Sequence, residues 1–340
     1  MSLELPSPRV ALLATAGAVG VGALAYWLLR RRQTPGQRSN GPRAGEVLGQ
    51  VKSIVLYPVK SIRGIEVSSA YCLKRGFKYD RRFVIVDTAS ENPPEGTPGK
   101  FLNLISTPKL AKIQPRIIEV GDRFTLVLQT EGCDPVEVPE PDTEGCERVS
   151  LHVYRTEGEA LDCGDTVARW LSAILGLPGI RLYYMSEDVR CRMIAEDPKW
   201  GDRGRPGQET SFANFAPYML CTEQSRVDIS SRVGQELEMA RFRPNIIVSS
   251  ALPTPYQEDN WTDIQISNVS FYMMKKCGRC PMTTIHPQTG EKTGPEPLKT
   301  LREFRLETSD ARYANSPIFG IQIGAEQEGA IRVGDDVVMQ

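Results

Sequence analysis

Apolar and polar positions along the chain fall into three regimes. The first is an unbroken apolar run at residues 10–29, VALLATAGAVGVGALAYWLL, free of charge. As a helix it would be roughly 30 Å long, about one bilayer hydrocarbon core. Tyr26 and Trp27 stand at its end, where aromatic rings favour the membrane interface, and Arg30, Arg31 and Arg32 follow at once. The run is longer than a signal-peptide core and its charge lies behind it. It predicts an N-terminal transmembrane anchor over residues 1–32 with the body on the cytosolic side. The second regime, residues 33–46, is polar with Pro and Gly and reads as a flexible linker.

From residue 47 onward, β-branched and aromatic runs recur between turn signals, at 51–57, 83–86, 124–128, 149–154, 180–185, 218–221, 245–248, 264–266, 269–274 and 331–339. One helix is plain. Val167, Trp170, Leu171, Ile174 and Leu175 follow helical spacing, with Asp165 placed to cap the start and Gly176 to end it. A second helix is expected over 223–237. The fold class is mainly β (α+β): a strand-rich N-terminal domain over 47–180 and a β-barrel domain over 181–340.

Composition narrows the function classes. The net charge is −1, but the first 46 residues hold six Arg and two Glu, so a basic head precedes a mildly acidic body. No basic field supports nucleic-acid binding. With only His152 and His286, a catalytic zinc site needing two or three His ligands is close to excluded, and eight cysteines are too sparse for a disulfide scaffold. No GxxxxGK[ST], GxGxxG or GxSxG loop occurs.

Two constellations remain. Cys277-Gly278-Arg279-Cys280 follows the strand-like run ending at residue 274. Such a pair is read as half a zinc site, as a redox dithiol, as the source of one thiolate for a soft metal carried by a cofactor, or as two buried small residues. Lys276 and Arg279 nearby favour thiolate. The second constellation is a set of cations at strand ends: Lys60 with Ser61 after the first strand, Arg81-Arg82 before 83–86, and Arg241 and Arg243 before Asn245. Strand-end charges are commonly just solvated, but several converging with Arg279 would suit a phosphate.

The segments Leu56-Tyr57-Pro58-Val59-Lys60-Ser61, Tyr79-Asp80-Arg81-Arg82-Phe83, Phe242-Arg243-Pro244-Asn245-Ile246 and Cys277-Gly278-Arg279-Cys280 resemble the MOSC-domain family with its N-terminal MOSC extension, most nearly its membrane-anchored amidoxime-reducing members. Phe212-Ala213-Asn214 with Pro217-Tyr218 is similar to the family's Phe-Ala-Asp-x-x-Pro stretch, Asn214 standing where Asp is usual. The resemblance covers about residues 47–340 and implies a molybdenum pyranopterin cofactor. It implies the second Cys of the pair, Cys280, as the metal ligand and catalytic centre. Lys60, Ser61, Arg82, Arg243, Asn245, Gly278 and Arg279 fall on positions that hold the pterin, with Phe215, Ala216 and Pro217 contacting it largely through backbone and Asn214, at a cofactor-binding position, lacking the charge of the usual Asp. It further implies reduction of N-hydroxylated small molecules, electrons from cytochrome b5 and NADH-cytochrome b5 reductase, and placement on the mitochondrial outer membrane facing the cytosol, or on the peroxisomal membrane. The alternative is a sulfur-transfer or molybdenum-cofactor carrier protein of the same family.

The anchor prediction is checked by alkaline carbonate extraction and protease protection on intact organelles. The body is expected to stay with the membrane and be digested from outside; a protected body contradicts the topology.

Overall fold

The computed structural model describes residues 42–144 and 146–340. The predicted anchor and residues 33–41 of the linker lie outside the described residues. Among the described residues no helix is long and apolar enough to cross a membrane. Pro42–Gln340 forms one compact unit.

Seven strands close into a barrel: β1 (Val47–Leu56), β2 (Tyr218–Thr222), β3 (Ile246–Ser250), β4 (Asp263–Ile266), β5 (Val269–Gly278), β6 (Ile318–Ala325) and β7 (Asp336–Met339). Their order round the barrel is β3-β2-β6-β5-β4-β7-β1, and β1 pairs back with β3 to complete the circle. Every contact is antiparallel except β2–β3. Closure leaves no free edge in the ring. Ile54, Tyr218, Leu220, Ile246, Phe271, Ile321, Ile323 and Val337 fill the interior with Trp261.

The N-terminal half carries a five-stranded antiparallel sheet, in which Phe83–Asp87 and Ile180–Tyr184 are central neighbours, and a three-stranded meander over Gln114–Val120, Arg123–Thr130 and Cys133–Pro139. Helix α1 (Asp165–Leu175) packs Val167, Leu171 and Leu175 into the core between them. It ends at Gly176 in the left-handed conformation, as expected, but its N-cap is Gly164; Asp165 is the first helical residue. Helix α2 (Glu223–Val233) begins where the Thr222 side chain accepts from the Ser225 N–H, and Gly234 at φ +77° stops it earlier than the expected residue 237. A short helix, α3 (Leu298–Phe304), was not foreseen.

The segment joining β1 to the N-terminal sheet is fixed by backbone bonds. Phe83 N–H donates to Pro58 O at 3.0 Å and Lys60 N–H to Phe83 O at 2.8 Å, so Lys60 and Ser61 lie between barrel and sheet. Strand β5 runs past the expected residue 274 to Gly278, with register breaks between Met273 and Lys275 and between Lys276 and Gly278. These bulges change which side chains face inward.

Gly320 on β6 has φ +73°, and a Cβ there would lie 2.6 Å from Cys221 Sγ and 2.7 Å from Leu220 O. Gly320→Ala combines left-handed strain with overpacking and is expected to lower unfolding free energy by about 2–4 kcal/mol. Urea unfolding followed by fluorescence checks this; a loss below about 0.5 kcal/mol, the level of an ordinary surface change, contradicts it.

Candidate functional site

The strand ends and loops of barrel and sheet enclose a cleft of about 340 Å³. Lys60, Arg81, Arg155, Arg243, Lys275 and Arg279 line it, and no Asp or Glu among the described residues does. Lys60 is buried, donating from Nζ to Phe212 O at 2.9 Å and to Asn214 Oδ1. Its pKa is held well below the ordinary lysine value, first by burial and then by Arg192, Arg81 and Arg243. The neutral Asn214 leaves that charge uncompensated, where an Asp would form an ion pair.

Arg81 and Arg243 flank the Tyr57 ring, their guanidinium carbons 4.6 Å and 4.3 Å from its centroid. Arg243 donates from Nη1 to Ile62 O at 2.8 Å, and burial pushes its pKa down to about 10. Burial pushes the Tyr57 hydroxyl up to about 12 despite the two cations, keeping it neutral. Arg81 donates from Nη1 to Asn245 Oδ1 at 2.8 Å and pairs with buried Asp80, which stands behind the cleft wall. Asn245 also donates from Nδ2 to Val55 O at 3.1 Å, tying the cluster to β1.

Backbone strain gathers here. Ser61, Arg81, Tyr154 and Arg243 all line the cleft and have φ of 72°, 49°, 59° and 54°. Non-glycine residues persist in that region only where surrounding bonds impose it, typically at functional sites. Arg192, fully buried, donates from Nη1 to Ser211 O at 2.7 Å and to Ala213 O, fixing the turn that presents Asn214, Phe215 and Ala216.

The two cysteines of the pair differ sharply. Cys277 is buried one residue before the end of β5, and its Sγ accepts from Arg279 Nη1 at 3.0 Å. Arg279 also donates from Nη2 to Phe242 O at 2.8 Å, while its buried Nε has no partner. Cys280 is exposed on the cleft wall, and its carbonyl accepts from Thr283 N–H and Oγ1 at 3.2 and 3.1 Å, which holds the turn that follows. Among the described residues no three His, Cys, Asp or Glu side chains group as a metal site. Of the two thiols, the exposed Cys280 is the one placed to reach a ligand in the cleft.

Lys60, Ser61, Asn214, Phe215, Ala216, Arg243, Asn245, Gly278, Arg279 and Cys280 are thus brought together. Pro217 is next to the cleft but does not line it. Arg82 points elsewhere: its Nε donates to Met185 O at 2.7 Å and its Nη1 pairs with Glu187 at 2.5 Å, so the cleft cation of the Arg-Arg pair is Arg81. Which of two adjacent arginines faces a site depends on strand parity, and the strand begins only at Phe83. Trp200, Lys275 and Gln322 also line the cleft and carried no motif in the sequence.

The site is thus a cation-lined cleft at the mouth of a closed β-barrel, with one exposed thiol on its wall. Two family models match this chain: the MOSC N-terminal beta barrel domain over residues 48–178 and the MOSC domain over residues 207–338. The chain belongs to the MOSC-domain family that includes the mitochondrial amidoxime-reducing components. It is 30% identical over 333 residues to Mitochondrial amidoxime-reducing component 1 of Homo sapiens, spanning 95% of this chain and 90% of the relative. The protein of the same name from Xenopus laevis is 30% identical over 99% of this chain and 93% of its own length. Mitochondrial amidoxime reducing component 2 of Bos taurus is 29% identical over 90% and 87%.

Arg81→Ala and Arg82→Ala should separate. Arg82→Ala leaves the Met185 carbonyl without its donor, while Glu187 keeps Arg75, and is expected to cost about 1–3 kcal/mol of stability with pterin per folded chain retained. Arg81→Ala also costs stability, because buried Asp80 loses its cation, but it is expected to lower bound pterin per folded chain several-fold. Denaturant melts and pterin assays on the purified variants check this; the reverse pattern contradicts the assignment.

Proposed function

We propose that this protein is a molybdenum-pyranopterin-dependent reductase of N-hydroxylated compounds, amidoximes and hydroxylamines among them. The observation that carries the reading is one exposed thiol, Cys280, on the wall of a cleft lined, among the described residues, by six cations and no carboxylate. Lys60, Ser61, Arg81, Arg243 and Asn245 suit the pterin phosphate, since guanidinium forks and an ammonium bind such an anion through charge-assisted hydrogen bonds. The peptide groups of Asn214, Phe215 and Ala216 suit the ring system. The unpartnered Nε of buried Arg279 is a donor that a cofactor acceptor would satisfy. Cys280 supplies the soft thiolate that molybdenum requires. When bound, the cofactor supplies two-electron reduction, releasing the N-bound oxygen as water.

The chain's own part is positional. The Asp80–Arg81 pair and the Tyr57 ring hold the cations at one end of the cleft. Cys277, engaged by Arg279, keeps that guanidinium from turning toward solvent. The names of the relatives favour amidoxime reduction and a mitochondrial location. The reading includes electrons delivered by cytochrome b5 and NADH-cytochrome b5 reductase to a body facing the cytosol from the mitochondrial outer membrane.

The test is benzamidoxime reduction with cytochrome b5, its reductase and NADH, normalised to molybdenum content. Cys280→Ser offers a hard oxygen in place of a soft thiolate and is expected to abolish turnover. Cys277→Ser keeps an acceptor for Arg279 and is expected to retain most of it. An active Cys280→Ser with a dead Cys277→Ser reverses the ligand assignment. Two fully active variants reject the thiolate-ligated centre. Molybdenum held loosely, with no reduction by the wild-type protein, favours a sulfur-transfer or cofactor-carrier role.

A further inference from the structure

Lys275 stands apart from the cations assigned to the pterin. The register break after Met273 turns it into the cleft, where its ammonium lies 4.7 Å from the Trp200 ring centroid and 5.5 Å from those of Phe215 and Tyr313. The side chain is buried, and its Nζ donates to the Lys276 carbonyl at 3.3 Å. No carboxylate pairs with it among the described residues. Asp197 is the acidic group whose field reaches it, and Asp197 Oδ1 is already taken by Arg155 and by the N–H groups of Lys199 and Trp200. The other charged or titratable groups that face it are Cys277 from its own strand, Arg279 just beyond that strand, Lys199 beside Trp200, and Tyr313 with Arg312, whose guanidinium stacks 4.4 Å from Trp200.

A second observation lies directly across the ladder. Lys275 pairs with Gln322 of β6, and the Gln322 Oε1 is buried in the cleft wall with no hydrogen-bond partner. A donor cation beside aromatic rings and an unused acceptor on the paired position of the next strand therefore line the same cleft as Cys280. An unsatisfied pair of this kind is what a ligand with a carboxylate and an N–H would complete.

We propose that Lys275 anchors a carboxylate on the N-hydroxylated substrate while Gln322 accepts from its nitrogen, so that the enzyme selects carboxylate-bearing amidoximes over neutral ones. This rests on the reductase reading and names its substrate class. Burial lowers the Lys275 pKa to about 8, the field of Cys277 opposing it. Only the ammonium form attracts a carboxylate. Carboxylate affinity is therefore full below that value and is lost as pH rises through it.

The experiment uses the full-length, molybdenum-loaded protein and two readouts. The first is calorimetric binding of 4-carbamoylbenzoate against benzamide, neither of which carries a reducible N–O bond. The second is kcat/KM for 4-carboxybenzamidoxime against benzamidoxime. In the wild-type protein the acid is expected to bind about tenfold or more tightly than its neutral partner, as one charge-assisted hydrogen bond supplies. That preference should shrink between about pH 7 and about pH 9, on either side of the Lys275 pKa. Lys275→Met is expected to lose both the preference and its pH dependence, and Lys275→Arg to keep the preference with a flat pH profile. If the Met variant does not fold by thermal melting, Lys275→Gln carries the same test. No preference in the wild type, or a preference that survives in the Met variant, overturns the proposal. So does a fall in pterin per chain that matches the loss of binding, which would place Lys275 in the cofactor cradle. Should no amidoxime be reduced at full molybdenum loading, the reductase reading fails while calorimetry still decides the carboxylate site.

Discussion

Positive charge withdrawn from water with too few negative partners is the constraint on which this structure turns. Two buried lysines and three half-buried arginines line one cleft, and the carboxylate beside them, Asp80, is set behind its wall. Desolvating an ammonium or guanidinium is expensive, and the protein offsets part of that cost with neutral partners. Carbonyls of Phe212, Ile62 and Phe242 take one donor each from Lys60, Arg243 and Arg279. The Tyr57 face takes two guanidiniums. Burial holds the pKa values of Lys60, Arg243 and Lys275 below their ordinary ranges, the direction expected of cations that are only partly compensated. An anionic ligand is the simplest completion.

Barrel closure is what assembles the cleft from distant parts of the chain. The pairing of β1 with β3 brings residues 57–61 beside Arg243 and Asn245, and the Asn245 side chain reaches Val55 O and Arg81 together. The two register breaks in β5 place Lys275 inward and hold Cys277 in the wall, leaving Cys280 beyond the strand and exposed. Left-handed backbone at Ser61, Arg81 and Arg243 is part of the cost of this convergence.

Much of this was legible before any coordinates, for reasons that differ by residue. Helix α1 was visible because its apolar spacing and Gly176 are local signals. Cys280, Arg243 and Lys60 were visible because short motifs carry them. Strand β6 was missed because its residues are nearly all buried, so it lacks the alternation that marks a half-exposed strand. Arg81 was passed over for Arg82 because facing depends on where the strand begins. Lys275 was hidden for the same physical reason: beside Lys276 it reads as a solvated pair, and only a bulge turns it inward. Spacing alone left Cys277 and Cys280 equivalent, whereas burial and the Arg279 contact distinguish them.

The central claim, that the cleft holds a molybdenum pyranopterin through one protein thiolate, is tested most directly by stoichiometry. Molybdenum by mass spectrometry of the metal, and pterin by fluorescence after oxidation, are measured on the purified full-length protein. The account predicts molybdenum and pterin in equal amounts, approaching one of each per chain and surviving gel filtration. Protein that is folded, exposed to cofactor and still free of both would contradict it.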